Sequence, residues 1–343
     1  MTESSLSADL DVRIPEHHAS ARLSPLQLRY ERDRLETLLS APDVLAVIGF
    51  GAGAPALDDD PRYLHVPLEP VEGVAPFEVW RCDGNARRGR NGLLRWSGNG
   101  DYSFAMLEVD ENECGGLLEA ACLAYRDLGD WLAESATPHV LRIWNYLDAI
   151  NEGEGDAERY REFCRGRAEG MREAFSQGFP AATAIGVRDG RRVLRVYFIA
   201  ARVPGGALEN PRQLSAWRYP RQYGPSAPTF ARAMHAPTAS PQLYISGTAA
   251  IVGHASHHPG DFTAQVDETL ANFASLLAAA GLPAALHFGA GGTLKVYVRR
   301  AADASRAAAL MAERLPPGTS LLLLHGDICR RELLIEIDGV QTA

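Results

Sequence analysis

Two stretches of this 343-residue chain carry the same order of elements, and that repetition constrains the fold more than any single motif. One runs from "GLLRWSGNG" at residue 92 to "VYFIAAR" at 202, the other from "QLYISG" at 242 to "LLIEIDGV" at 340. Each opens with a strand ending in Ser-Gly, at Ser97-Gly98 and at Ser246-Gly247. A long amphipathic helix follows, then a strand (141–147; 293–299), a second helix and two further strands. The order β-α-β-α-β-β, read twice, predicts an α+β protein of two units. Each would be a mixed sheet with its helices on one face.

The rest of the chain is assigned around these units. Residues 1–22 read as a flexible N-terminal arm and 23–93 as an N-terminal α/β extension. The first unit spans 94–203, a Tyr/Arg/Pro-rich active-site loop 204–239, and the second unit 240–343. In the extension, "SPLQLRYERDRLETLLS" predicts a helix capped by Ser24 with Pro25 in its first turn. "VLAVIGFG" predicts a buried strand. The "GFGAG" at its end reads as a glycine turn and not a dinucleotide loop, because acidic, proline-broken "APALDDDPRYL" follows where a helix would have to start.

Charge narrows the choice of ligand. With 34 basic and 43 acidic residues the net charge is −9, which gives no global attraction to nucleic acid or acidic lipid. An anionic ligand would need a local arginine cluster. Lys295 is the only lysine, so nearly every cation is a planar fork suited to carboxylates. The five cysteines form no C-x-x-C pair and are odd in number, which predicts reduced thiols in a cytoplasmic protein. The polar, acidic start shows no signal-peptide pattern, and no apolar run reaches membrane-spanning length.

The strand near the C-terminus raises a question of chemistry. Leu333, Ile335 and Ile337 point one way, Leu334, Glu336 and Asp338 the other. From the residues alone, Glu336 reads as the polar side of a half-exposed strand, and Cys329 as a small apolar residue before it. "WRYPRQYGPSAPTFARA" has no helix or strand period and suits a rigid functional loop. "GHASHHPGD" and "EHHAS" are rich in histidine. Neither has the spacing of a helical metal site, so His17, His18, His254, His257 and His258 are read as no metal centre, with Asp261 capping the helix that follows.

"YISG", "AQVDETLANFASLLAAAGL", "LKVYVR" and "LLIEIDGV" give residues 240–341 a resemblance to the RidA/YjgF family, whose fold is chorismate-mutase-like. That resemblance implies trimers with active sites in clefts between units, and a glutamate on the last strand that falls on Glu336. The family's carboxylate-binding arginine is replaced by Thr319, which disfavours imine deamination. A narrower resemblance covers roughly residues 40–341. "LRIWNYLDAIN", "RYREFCRGR", "NPRQLSAWRYPRQYGPSAPTFARA", "SGTAAIVGHAS" and "GDICRRELLIEID" look like the chorismatases.

This resemblance implies a cofactor-free enzyme that cleaves the enolpyruvyl ether of chorismate and releases pyruvate. Partners other than that small molecule, whether nucleic acid or membrane, are not expected. The assembly would be a monomer with internal pseudo-symmetry or a RidA-like trimer. Glu336 would be the general acid. Cys329 falls where hydroxybenzoate-forming members carry cysteine and hydrolytic members an aliphatic residue, which implies 3- and/or 4-hydroxybenzoate as product. Tyr219 and Arg232, and less directly Arg142 and Arg161, are the candidates for holding carboxylates, with surface ion pairs as the alternative for the last two. The rival readings are a hydrolytic chorismatase giving a dihydroxycyclohexadiene carboxylate, and a non-catalytic module that binds a small carboxylate.

Overall fold

The computed structural model describes residues 22–56, 59–176, 178–282 and 287–342. The arm, with His17 and His18, lies almost wholly outside them. The extension forms a four-stranded sheet from β1 (Gln27–Glu31), β2 (Val44–Phe50), β3 (Tyr63–Val66) and β4 (Phe77–Arg81), in the order β1-β4-β2-β3, with helix α1 (Leu35–Ser40) beside it. The helix expected from Ser24 therefore starts only at Leu35. Between Leu26 and Tyr30 the period is two: Leu26, Leu28 and Tyr30 turn inward, Gln27 and Arg29 outward, and the segment pairs with β4. Strand β2 ends in a turn through Gly51, and among the described residues no helix lies between it and parallel β3.

The first unit contributes β5 (Arg87–Asn91), β6 (Leu94–Gly98), β7 (Tyr102–Asp110), the short α2 (Glu111–Cys114), α3 (Leu117–Glu134), β8 (His139–Asp148), α4 (Arg159–Met171), β9 (Ala181–Val187) and β10 (Val193–Ala201). The second has β11 (Gly206–Leu208), β12 (Ala233–His235), β13 (Gln242–Thr248), a small hairpin of β14 (Ile251–Val252) and β15 (Ala255–Ser256), α5 (Phe262–Ala279), β16 (Gly292–Val298), α6 (Ala304–Arg314), β17 (Ser320–His325), β18 (Asp327–Ile328) and β19 (Ile335–Thr342). Strands β11 and β12 thus give the ends of the 204–239 segment a regular structure its composition did not suggest.

The larger sheets share one pattern. The first contains β9-β8-β10-β7 and the second β17-β16-β19-β13, so β7 is the counterpart of β13. Ser97-Gly98 lies on β6, the hairpin partner of β7. The two Ser-Gly pairs are therefore not equivalent, although the order of elements that they introduce is. Helices α3 and α4 cover one face of the first sheet and α5 and α6 one face of the second. The other faces meet the N-terminal sheet in a central core around Trp80, Phe104, Trp144, Tyr197, Tyr244 and Tyr297.

Two details position the site. Helix α4 packs unusually close to α3: a Cβ at Gly166 or Gly170 would overlap the carbonyls of Leu118 and Cys122. Strand β18 leaves the second unit and pairs with β9 at the edge of the first sheet, Asp327 opposite Gly186 and Ile328 opposite Ile185. The chain then turns back into β19. The seam between the units is bridged by residues 327–334.

Candidate active site

A cavity of about 380 Å³ opens at this seam. Its floor is Ala182–Ala184 of β9, Gly247 of β13 and Glu336 of β19; α4, the 219–232 loop and the returning segment 329–332 form its walls. Its size suits a small organic ligand.

Glu336 faces this space and is only 5% exposed, so the solvent-facing position that its strand pattern suggested is corrected. The β13–β19 register shifts between Ile245 and Thr248, and Gly247 sits in that irregularity. A Cβ at Gly247 would overlap Oε1 of Glu336, so glycine is what leaves room for the carboxyl group. Burial, then the nearby charge of Asp338, pushes the Glu336 carboxyl up to about 8, against the pull of Arg142, Arg232 and Arg299. The register that sets Glu336 opposite Tyr297 in the second unit sets Arg195 opposite Tyr146 in the first. Arg195 is ion-paired with Asp189 and Glu108, so the first unit has no acid at that position.

The arginines separate into two groups. Arg232 is 3% exposed; its Nη2 donates to the Leu214 carbonyl at 2.8 Å and to the Tyr219 hydroxyl at 2.7 Å, while Nε has no partner among the described residues. Tyr219 therefore orients Arg232, and its ring packs against Tyr223. Arg167 of α4 also lines the cavity, is 3% exposed, and leaves Nε and Nη2 without a partner among the described residues. Its guanidinium lies 5.0 Å from the centre of the Tyr125 ring. Unpaired buried guanidinium nitrogens are costly unless a ligand supplies the acceptor.

Arg161 also lines the cavity, but it is engaged by Glu158 at 3.3 Å and Asp156 at 3.7 Å. Arg142 is not on the wall. It is wholly buried behind it, paired with Asp338 at 3.3 Å and donating to the Ile143 carbonyl and the Thr183 hydroxyl. A surface ion pair, the alternative reading for it, is thereby corrected too. Thr319 caps a turn at the start of β17, away from the cavity.

Sequence reasoning passed over Arg167. The signal was the helical spacing of Tyr160, Phe163, Cys164 and Arg167, which puts a cation on the helix's apolar face.

Cys329 lines the cavity where the chain turns back, its carbonyl and that of Ile328 held by Asn151 Nδ2. Burial, and then the Glu336 charge, pushes its thiol well above the ordinary cysteine range, with Arg330 only partly opposing them. That environment favours the neutral thiol and suits a shaping role, not a nucleophile's. Arg330 is turned onto the Tyr223 ring at 3.9 Å, and Arg331 donates to the Asn151 and Gly153 carbonyls. Tyr160 completes this corner, its hydroxyl paired with the Cys164 thiol.

His257, His258 and Glu268 bring ligand atoms within 4.8 Å of one another. They are not among the residues lining the cavity, and Glu268 is already bonded to Arg212 and to His258 at 3.1 Å. No helix of the described residues is long and apolar enough to cross a membrane.

A buried carboxyl group and two arginines with unpartnered nitrogens share an open-mouthed cavity between two α+β units, an arrangement suited to acid chemistry on a small anion. The comparisons with known proteins give the family. Residues 78–200 match the family described as "Chorismatase FkbO/Hyg5-like, N-terminal". The chain is 38% identical over 276 residues to a chorismatase of Streptomyces rapamycinicus, covering 77% of this chain and 81% of that one. It is 35% identical over 315 residues to a 3-hydroxybenzoate synthase of Streptomyces hygroscopicus, covering 87% and 91%. A chorismatase crystal structure superposes with a TM-score of 0.83 at 32% identity, covering 94% of this chain and 100% of that one. The chain belongs to the chorismatase family.

Proposed function

We propose that this protein cleaves chorismate to a hydroxybenzoate and pyruvate, with Glu336 as proton donor. The observation that carries the reading is the buried Glu336 carboxyl, which burial favours in its protonated form, in a cavity where Arg167 and Arg232 keep nitrogens without a partner among the described residues. Similarity to chorismatases and to a 3-hydroxybenzoate synthase supports the substrate. Chorismate brings two carboxylates, and Arg167 and Arg232 each have nitrogen free to receive one. Glu336 protonates the methylene carbon of the enol ether, leaving an oxocarbenium-like centre on the pyruvyl carbon. The C–O bond to the ring breaks and pyruvate leaves with the ether oxygen; the ring returns a proton to the Glu336 carboxylate as it becomes aromatic, its own hydroxyl staying in place for the 4-isomer or shifting to the vacated carbon for the 3-isomer. Hydroxybenzoic acid and pyruvic acid together hold the atoms of chorismic acid, so no net water is consumed.

The hydrolytic alternative needs a water beside the cationic centre. Cys329 favours the hydroxybenzoate branch, since it fills this corner in neutral form. A barrier difference of about 1.4 kcal/mol at the branch point changes the product ratio tenfold. Cys329→Val is therefore expected to divert part of the flux to the dihydroxycyclohexadiene carboxylate while pyruvate release continues, which chromatography of both products would measure. Complete loss of pyruvate formation would mean that the thiol takes part in the chemistry.

Burial of the acid has a thermodynamic signature. The fold favours protonated Glu336, so its contribution is fully present below the ordinary 4.5 and is lost as pH rises toward about 8. Each pH unit in that window costs about 1.4 kcal/mol. Glu336→Gln cannot titrate, so its melting temperature should gain on wild type between about pH 5 and about pH 8. A constant difference across that range would contradict a buried, protonated Glu336.

A further inference from the structure

We propose that Asp338 is a positioning residue whose paired negative charge holds neighbouring Glu336 in its acid form. This rests on the reading of Glu336 as proton donor and extends it to the residue behind. Two positions apart on β19, the side chains share one face of the strand. Their surroundings differ. Asp338 is wholly buried, accepts the Tyr297 hydroxyl at 2.9 Å and lies 3.3 Å from Nη2 of Arg142. Those partners suit an ionised carboxylate. Glu336 has no such partner among the described residues; charges act on it only from a distance.

The partners of Asp338 are anchored in their turn. The Tyr297 hydroxyl meets that of Tyr146 at 3.2 Å, Tyr146 meets Tyr197 at 3.5 Å, and Tyr197 accepts from Lys295 at 2.7 Å. Lys295, the only lysine, is ion-paired with Glu78 of β4 at 2.7 Å. The N-terminal sheet thus fastens the far end of a buried polar chain whose near end is Asp338.

Around Glu336 the cations are Arg142 from β8, Arg232 from the loop before β12 and Arg299 from the end of β16, all favouring ionisation; Asp338 is the anion that opposes them. Arg167 and Tyr160 face the cavity from α4, Tyr219 from the loop, and Cys329 and Arg330 from the returning segment; Tyr297 of β16 lies opposite Glu336 in register but is buried in the central core, away from the cavity lining. Glu332 lies at the exposed mouth, bonded to Ser256. Two adjacent buried carboxyl groups do not both ionise cheaply. The one with fixed cationic and hydroxyl partners keeps the charge and the other keeps the proton.

The test is the pH dependence of kcat/KM for chorismate in wild type and in Asp338→Asn. Removing the opposing anion should move the alkaline limb to lower pH by about 1 unit, with KM at low pH little changed. A limb that stays in place in a folded variant overturns the proposal. If Asp338→Asn fails to fold because Arg142 is left unpaired, the double variant Arg142→Met/Asp338→Asn removes both charges. Compared with Arg142→Met alone, adding Asp338→Asn should then move the limb to lower pH. An unmoved limb there has the same overturning force. Glu336→Gln separates the levels: retained turnover sinks the reading of Glu336 as acid, whereas its loss combined with an unmoved limb sinks only the role of Asp338.

Discussion

Glu336→Gln should lower pyruvate release by about 10²-fold or more, with chorismate affinity nearly unchanged. Gln keeps the shape that Gly247 leaves open and removes only the proton. Wild-type kcat/KM should be flat at neutral pH and fall above about 8, where the buried acid ionises. Stopped assays of pyruvate across pH, with a binding measurement on the inactive variant, would check both parts. Near-wild-type turnover would remove Glu336 from the chemistry. Turnover lost together with binding would make it a binding residue.

Arg167→Met should act the other way round, chiefly on binding. Leaving a buried ligand carboxylate without its guanidinium costs about 2–5 kcal/mol, roughly 30-fold or more in kcat/KM. In the free protein the same change removes a buried cation with two unpartnered nitrogens. Its melting temperature should therefore stay level or rise. That combination, weaker binding in a fold no less stable, is what a ligand-directed arginine produces. An Arg167→Met protein with lower stability and unchanged kinetics would make Arg167 a structural residue.

The repeat was readable because periodicity survives in sequence: α3 places Leu117, Ala121, Ala124, Leu128 and Leu132 on one face, and β8 and β16 lie where apolar runs sit between helices. Gln27–Glu31 was misread because its period of two is short and runs straight into the helical period of Leu35 and Leu38. What the sequence could not show was the third dimension of the site. Arg142 and Arg161 read alike, as carboxylate-holding candidates with a surface ion pair as the alternative, yet Arg142 on β8 is sealed behind the cavity wall and Arg161 on α4 lines it. Arg167 is one residue of a basic helix in the sequence; only the close packing of α4 on α3 at Gly166 and Gly170 shows it over the Tyr125 ring and on the cavity wall. The pairing of β18 with the first unit's sheet, which brings Cys329 to the seam, is a contact between residues some 140 positions apart in sequence (Asp327 with Gly186), which no local pattern encodes.

The central claim is most directly tested by incubating the purified protein with chorismate alone and separating the products. The account predicts equimolar pyruvate and hydroxybenzoate without added metal or cofactor, and loss of both with Glu336→Gln. Chorismate left intact, or pyruvate accompanied only by the dihydroxycyclohexadiene carboxylate, would contradict it.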